Sequence, residues 1–219
     1  MAPFRPLRFV RRPLEDSTQR GRAFYAELNE RRTTRQFSSD AVPAELVELA
    51  IRSAGTAPSG AHQQPWTFVA VADAELKRKM RDAAEVEERD FYRHRAPKEW
   101  LDALAPLGTD QHKTHLTDAP WVVVLFRQVS GVDPDGSKRT HYYSQESCGI
   151  AAGLFIAAVH HMGLVTLTHT PNPMAFLQTL LERPPNERPM LLMPVGYPAP
   201  DATVPDLQRK PLEQIAVWR

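Results

Sequence analysis

Arg31-Arg32-Thr33-Thr34-Arg35, read with Ala57-Pro58-Ser59-Gly60-Ala61-His62, carries the most information in this chain. The first stretch is a dense cationic cluster with a hydroxyl inside it. Arginine forks match phosphate oxygens, and a threonine hydroxyl adds a short donor. The second stretch is a Pro/Ser/Gly turn, where backbone can approach a flat ligand closely. A phosphorylated planar cofactor suits both. The arginine cluster by itself also fits a solvated helix end, because charge runs are usually surface. Its pairing with the glycine loop favours the ligand.

Bulk properties narrow the classes. A length of 219 residues allows one medium domain with a sizeable core. Hydrophobic content of 42% and charge of 24% are those of a globular, water-facing protein. A net charge of +1 argues against a nucleic-acid partner, which calls for a clearly basic domain. The single cysteine, Cys148, excludes an intrachain disulfide and fits a reducing compartment. It lies in Gly149-Ile150-Ala151-Ala152-Gly153 surroundings, which suit a buried inert thiol better than a nucleophile. No segment approaches the roughly 20 apolar residues of a membrane span. Met1-Ala2-Pro3-Phe4-Arg5-Pro6 lacks the apolar core of a signal peptide. A cytoplasmic location is expected.

Working outward, residues 1–20 are rich in Pro and Arg and read as an extended arm. A helix over Ala23–Arg31 delivers the arginine cluster at its end. Val42-Pro43-Ala44-Glu45 opens another helix, with Leu46, Leu49, Ala50 and Ser53 as its inner stripe and Gly55 as its stop. Thr67–Val71 reads as a strand and Ala74–Arg95 as a long charged helix. Trp121–Phe126 is an apolar run of buried-strand length. Asp133-Pro134-Asp135-Gly136-Ser137 is a turn that lacks the third acidic residue of a calcium loop. Ser144–Met162 is apolar on nearly all sides, as a buried helix would be. Leu164–Leu167, Phe176–Glu182 and Leu191–Val195 follow as strand, helix and strand. The tail from Pro198 is too polar to pack alone and suits wrapping around a second subunit. These elements predict an α+β layered domain with a central mixed sheet flanked by helices.

The order of these motifs resembles the FMN-dependent nitroreductase superfamily. The arginine cluster is followed by Ala57-Pro58-Ser59-Gly60, then Gln64-Pro65-Trp66-Thr67-Phe68, and late in the chain Pro194-Val195-Gly196-Tyr197-Pro198. Within it, Ala54–His62, Gly163-Leu164-Val165-Thr166 and Ala202-Thr203-Val204-Pro205-Asp206-Leu207 are similar to the iodotyrosine deiodinase branch. The similarity runs from about Arg31 to Gln214.

The resemblance implies an intertwined homodimer with FMN at the subunit interface. It also implies a C-terminal dimerisation arm over about residues 198–219 and one domain over 21–219. Arg31 and Thr33 would hold the FMN phosphate, with Arg32 adjacent and Arg209 adding a second contact. Arg35 would face the flavin pyrimidine edge. Pro58, Ser59 and Gly60 would pass along the flavin ring from the other subunit. Thr168 would join the cofactor set, and Thr170 would set its hydroxyl at flavin N5, as suits one-electron steps. Electrons would come from NAD(P)H or a separate reductase.

The branch further implies a lid, about residues 85–115, over the amino-acid end of a halotyrosine. Glu88 and Tyr92 stand four apart, hence on one helical face. Lys113 follows, before Leu116-Thr117-Asp118-Ala119-Pro120. A zwitterion needs both signs of partner: Glu88 for the ammonium, Lys113 for the carboxylate, and Tyr92 as a neutral donor. Closing on both ends would exclude water from the flavin face. Ala61 would offer its backbone N–H to the phenolate. The residues by themselves also allow Glu88 in a solvated acidic run and Lys113 on the surface. The implied activity is reductive removal of iodide from 3-iodotyrosine.

A general flavin nitroreductase or quinone reductase, and a non-catalytic FMN or amino-acid binder, are the competing readings. No metal is expected, since His112 and His115 lack a third ligand at matching spacing and suit a polar lid. His160 and His161 point to different helical faces. His169, beside Thr170, stands where the deiodinases often carry a hydroxyl. Trp66 reads as core and Trp100 as lid packing.

Overall fold

The computed structural model describes residues 4–133 and 135–219. Residues 1–3 of the expected arm and Pro134 of the expected turn lie outside them. The chain forms two compact units, one ending at Arg31 and one beginning at Arg32.

The N-terminal unit carries α1, Leu14–Glu30. The extended arm expected to residue 20 is therefore shorter. The helix starts where Pro13 ends the irregular segment, and Glu15 and Asp16 place negative charge on its positive end. No α1 residue is buried, and Phe24 and Tyr25 are exposed.

The main unit is built on a sheet of β1 (Trp66–Val71), β2 (Trp121–Gln128), β5 (Val165–Thr166) and β6 (Glu187–Gly196), in the order β1-β2-β6-β5. Every ladder in it is antiparallel. The expected mixed sheet is corrected accordingly: the parallel pairing described is a single bridge, Thr33 to Thr166. β3 (Ser130–Val132) and β4 (Lys138–Thr140) form a separate hairpin.

β2 is central, and its continuous apolar run follows from burial on both faces. Val123 and Leu125 join one core with α2 (Ala44–Ala54) and α6 (Ser144–His161). Val122, Val124 and Phe126 join another with α3 (Ala74–Asp90), α5 (His115–Asp118) and α7 (Phe176–Leu180). Alternation along one strand thus serves two helical layers.

Two expected faces differ. The inner stripe of α2 is Val47, Ala50 and Ala54, with Leu49 and Ser53 exposed. The stripe is rotated because Val47 joins Val42 in the core. Within the chain α6 is buried on one side, while Ile150 and Leu154 are exposed beside Gly149 and Gly153.

The expected lid region is largely helical: the end of α3, a π turn at Phe91–Arg95, α4 (Lys98–Leu104) and the start of α5. Phe91 meets Trp100 edge-on at 5.0 Å, so Trp100 packs within this region. Trp66 is half-buried against the α2/α6 core. The C-terminal segment is irregular apart from a turn at Leu212–Gln214. Its start is tied by Ala199 N–H to Gln36 O at 3.1 Å and by Thr203 N–H to Gln36 Oε1 at 2.7 Å. Leu212, Ile215 and Trp218 beyond it are exposed.

Candidate active site

α3 turns Lys77, Met80, Ala84 and Glu88 inward, a spacing of three and four that makes one buried face. Lys77 Nζ donates to Ala119 O at 2.6 Å. Arg81 donates to Thr117 Oγ1 at 3.0 Å and pairs with Glu85 at 2.7 Å. Glu85 accepts the Lys113 N–H at 2.9 Å. These contacts fasten residues 113–119 to α3. They give Glu85 a positioning task that its place in an acidic run conceals.

Glu88 is the centre of the site. Its Oε2 lies 3.1 Å from Lys113 Nζ, and its Oε1 lies 3.0 Å from His169 Nε2. Both Glu88 and Lys113 are buried, so the solvated reading of each is excluded. Burial pushes the Glu88 carboxyl up, but the His169 hydrogen bond and the Lys113 charge outweigh it and hold it below the usual range. Lys113 Nζ also donates to Asp110 O and sits 5.7 Å from the Tyr92 ring centre. Tyr92 donates its hydroxyl to Thr109 O at 3.1 Å, and burial raises its phenol.

The segment after β5 forms the opposite wall. Its residues alternate: Leu167 and His169 are buried, Thr168 and Thr170 exposed. An extended chain does this by geometry. His169 is pinned by two backbone hydrogen bonds with Leu192, at 2.8 and 2.9 Å. Its ring meets His115 edge-on at 5.2 Å. Burial, the nearby His169 and Lys113 hold His115 down to about 3, so it is a neutral imidazole. His115 therefore belongs to the buried site and not to a polar lid, whereas His112 is exposed. The two do not form a metal pair.

Arg35, Glu88, Tyr92, Lys113, Thr168 and Thr170 line one cavity of about 590 Å³. Phe91, Trp100, Leu104, Leu167, Met174 and Met190 add apolar surface. Burial lowers the Arg35 guanidinium, which marks a cation partly withdrawn from water. A guanidinium fork and two hydroxyls beside apolar walls match the hydrogen-bonding edge and flat faces of a flavin. The donor set therefore fits FMN. Arg95 ties the π turn across the opening by donating to Asn172 O.

Other expected residues sit elsewhere. Pro58, Ser59, Gly60 and Ala61 do not line this cavity. Their loop is held near the start of α6: Gly60 N–H reaches Ser147 Oγ at 3.3 Å, and Gln63 bonds Thr140 O and Tyr142 N–H at 2.9 Å each. A Cβ at Gly60 would stand 2.5 Å from Tyr142 O, so within the chain the glycine makes room for backbone. Ala61 and His62 hold positive φ, 49° and 54°, a left-handed conformation that is uncommon outside glycine. Arg31 caps α1 through its N–H to Leu28 O at 3.3 Å. Arg32, Thr33 and Arg209 are not part of the cavity wall. Cys148 is buried, its thiol pushed up to about 12 by burial, as its surroundings led one to expect.

Comparison with known proteins gives the chain its relatives. A family profile described as nitroreductase family matches residues 28–197. The chain is 55% identical over 196 residues to iodotyrosine deiodinase of Haliscomenobacter hydrossis, covering 90% of this chain and 88% of that one. It is 46% identical over 206 residues to human iodotyrosine deiodinase 1, covering 94% and 71%. A crystal structure of oxidised iodotyrosine deiodinase with FMN and 3-iodo-L-tyrosine superposes with a TM-score of 0.76 at 27% identity, covering 89% of this chain and all of that one.

Proposed function

This chain belongs to the nitroreductase family, alongside the iodotyrosine deiodinases, and we propose that it is an FMN-dependent oxidoreductase that removes halide reductively from halotyrosines. The observation that carries the reading is the convergence of Glu88, Tyr92 and Lys113 with Arg35, Thr168 and Thr170 on one cavity. A nitroreductase with a plain aromatic substrate has no use for a buried, opposite-charge pair in its cavity wall.

Bound FMN supplies the electrons, one at a time or as a pair. In sum, halotyrosine takes up two electrons and a proton, the carbon–halogen bond breaks, and tyrosine and halide leave. The chain's own residues bind and orient. Glu88 takes the substrate ammonium and Lys113 its carboxylate, exchanging one internal ion pair for two with the substrate. A ligand with one charge leaves the other partner buried and unpaired, which is costly. Tyr92 adds a neutral donor. Arg35 would hold negative charge at the cofactor edge, and Thr170 would donate toward its reacting nitrogen. Phe91 and Trp100 exclude water over the substrate ring. Arg31, Arg32, Thr33 and Arg209 would hold the phosphate.

Pro58, Ser59, Gly60 and the Ala61 N–H reach the cofactor and the phenolate from a second copy of the chain. The exposed Ile150 and Leu154 of α6, Leu49 of α2 and Leu212, Ile215 and Trp218 of the C-terminal segment support a homodimer. The tail over residues 198–219 serves as its exchanged arm, and the lid over 85–115 closes on substrate. NAD(P)H or a separate reductase reduces the cofactor. Among the described residues no helix is long and apolar enough to cross a membrane, which supports a cytoplasmic enzyme.

The test is an anaerobic single-turnover titration of reduced, FMN-loaded protein with 3-iodo-L-tyrosine. Stoichiometric flavin oxidation with release of tyrosine and iodide is expected. Flavin that stays reduced, in protein that still reduces nitroaromatics, overturns the assignment in favour of a general reductase.

A further inference from the structure

His169 has no task in the dehalogenation set out above, yet it touches the residue at its centre. The ring is held at both ends. Its backbone exchanges two hydrogen bonds with Leu192, so the Cα is fixed to β6. Its Nε2 faces Glu88 Oε1 at 3.0 Å. Its Nδ1 is buried with no hydrogen-bond partner among the described residues, as is Nε2 of His115, whose ring abuts it. A second N–H on His169 would be a dry donor with no acceptor among the described residues, and the nearby Lys113 and Arg35 charges oppose the added proton. The ring is therefore the neutral tautomer with its one N–H on Nε2, donated to the carboxylate.

Glu88 divides its oxygens, Oε1 to His169 and Oε2 to Lys113. Substrate binding makes Lys113 turn to the carboxylate of the amino acid. Glu88 then keeps only the His169 contact among its described charged or ring partners. We propose that His169 is a positioning residue of the substrate clamp. It anchors Oε1 so that Oε2 faces the cavity and the substrate ammonium. The role rests on the halotyrosine reading, and it makes a prediction of its own. An amino-acid ligand needs His169, whereas a halophenol, which has no ammonium, does not.

The experiment uses FMN-loaded protein and follows quenching of oxidised flavin fluorescence by 3-iodo-L-tyrosine and by 2-iodophenol. His169→Leu is expected to weaken 3-iodo-L-tyrosine at least tenfold and to change 2-iodophenol less than twofold. A lost hydrogen bond to a charged group accounts for a factor of that order. His169→Gln, whose amide N–H reaches the place of Nε2, is expected to recover most of the loss. His169→Asn, whose amide ends at the place of Nδ1 and falls short of Glu88, is expected to behave as Leu does and serves if Leu does not fold. Equal weakening of both ligands assigns His169 to the fold alone and overturns the proposal, as does no recovery by Gln. Unchanged binding of 3-iodo-L-tyrosine by the Leu and Asn variants overturns it while leaving the halotyrosine reading intact. Wild-type protein that does not bind 3-iodo-L-tyrosine overturns both.

Discussion

Replacing Lys113 by Met removes one half of a buried ion pair, and its cost follows from the geometry. Nζ and Oε2 stand 3.1 Å apart, with side chains 4% and 11% exposed. At an effective dielectric of about 20 their attraction is about 5 kcal/mol at that 3.1 Å separation. Desolvation offsets much of this, so the pair's net worth is smaller. The substitution, however, leaves Glu88 buried and charged, which costs about 3–5 kcal/mol when a partner is lost. The His169 hydrogen bond survives, which places the loss near the lower end, about 3 kcal/mol. For a chain of this size that lowers Tm by roughly 6–12 °C. The double variant Lys113→Met/Glu88→Gln leaves neither charge of this pair and should recover at least half of the loss. Thermal unfolding followed by circular dichroism reads both, at one protein concentration and saturating FMN, because either shifts Tm. A double variant no more stable than Lys113→Met refutes the reasoning.

Three further outcomes are expected. Glu88 is held below the usual carboxylate range, so its contribution is present above the unfolded value of about 4.3 and is lost as pH falls through the folded value. Urea midpoints between pH 2.5 and 5 should fall more steeply for wild type than for Glu88→Gln, and equal slopes would remove Glu88 from the acid limb. The Cys148 thiol, pushed up to about 12 and buried, should resist iodoacetamide at pH 8 in native protein and react after unfolding, as mass spectrometry would show. Gly60→Ala sets a Cβ 2.5 Å from Tyr142 O and should lower stability by about 1–3 kcal/mol in urea denaturation; no loss would mean the loop moves freely.

Much of this was legible in the residue order. Trp121–Phe126 reads as a doubly buried strand because a continuous apolar run of that length has few other uses. Glu88 and Tyr92 share a face by helical arithmetic alone. The burial of Lys113 was not legible, because a lysine before a polar turn looks the same whether or not α3 packs over it. His115 and His169 were harder still. Each looks like an isolated polar residue until the fold brings their rings 5.2 Å apart. One signal was available: the Leu167-Thr168-His169-Thr170 alternation sets His169 on the side of Leu167, away from the two threonines.

The sequence by itself determined the family, the main helices and strands and the charge types proposed for the clamp, because periodicity, capping and motif order are properties of neighbours along the chain. Only the tertiary structure decided which groups meet. Glu88, Lys113 and His169 come from three separate segments, and their contacts at about 3 Å depend on how α3, the turn before α5 and the wall after β5 pack together. Burial, which turns a lysine and a glutamate from solvated charges into a paired wall of the cavity, exists only after that packing.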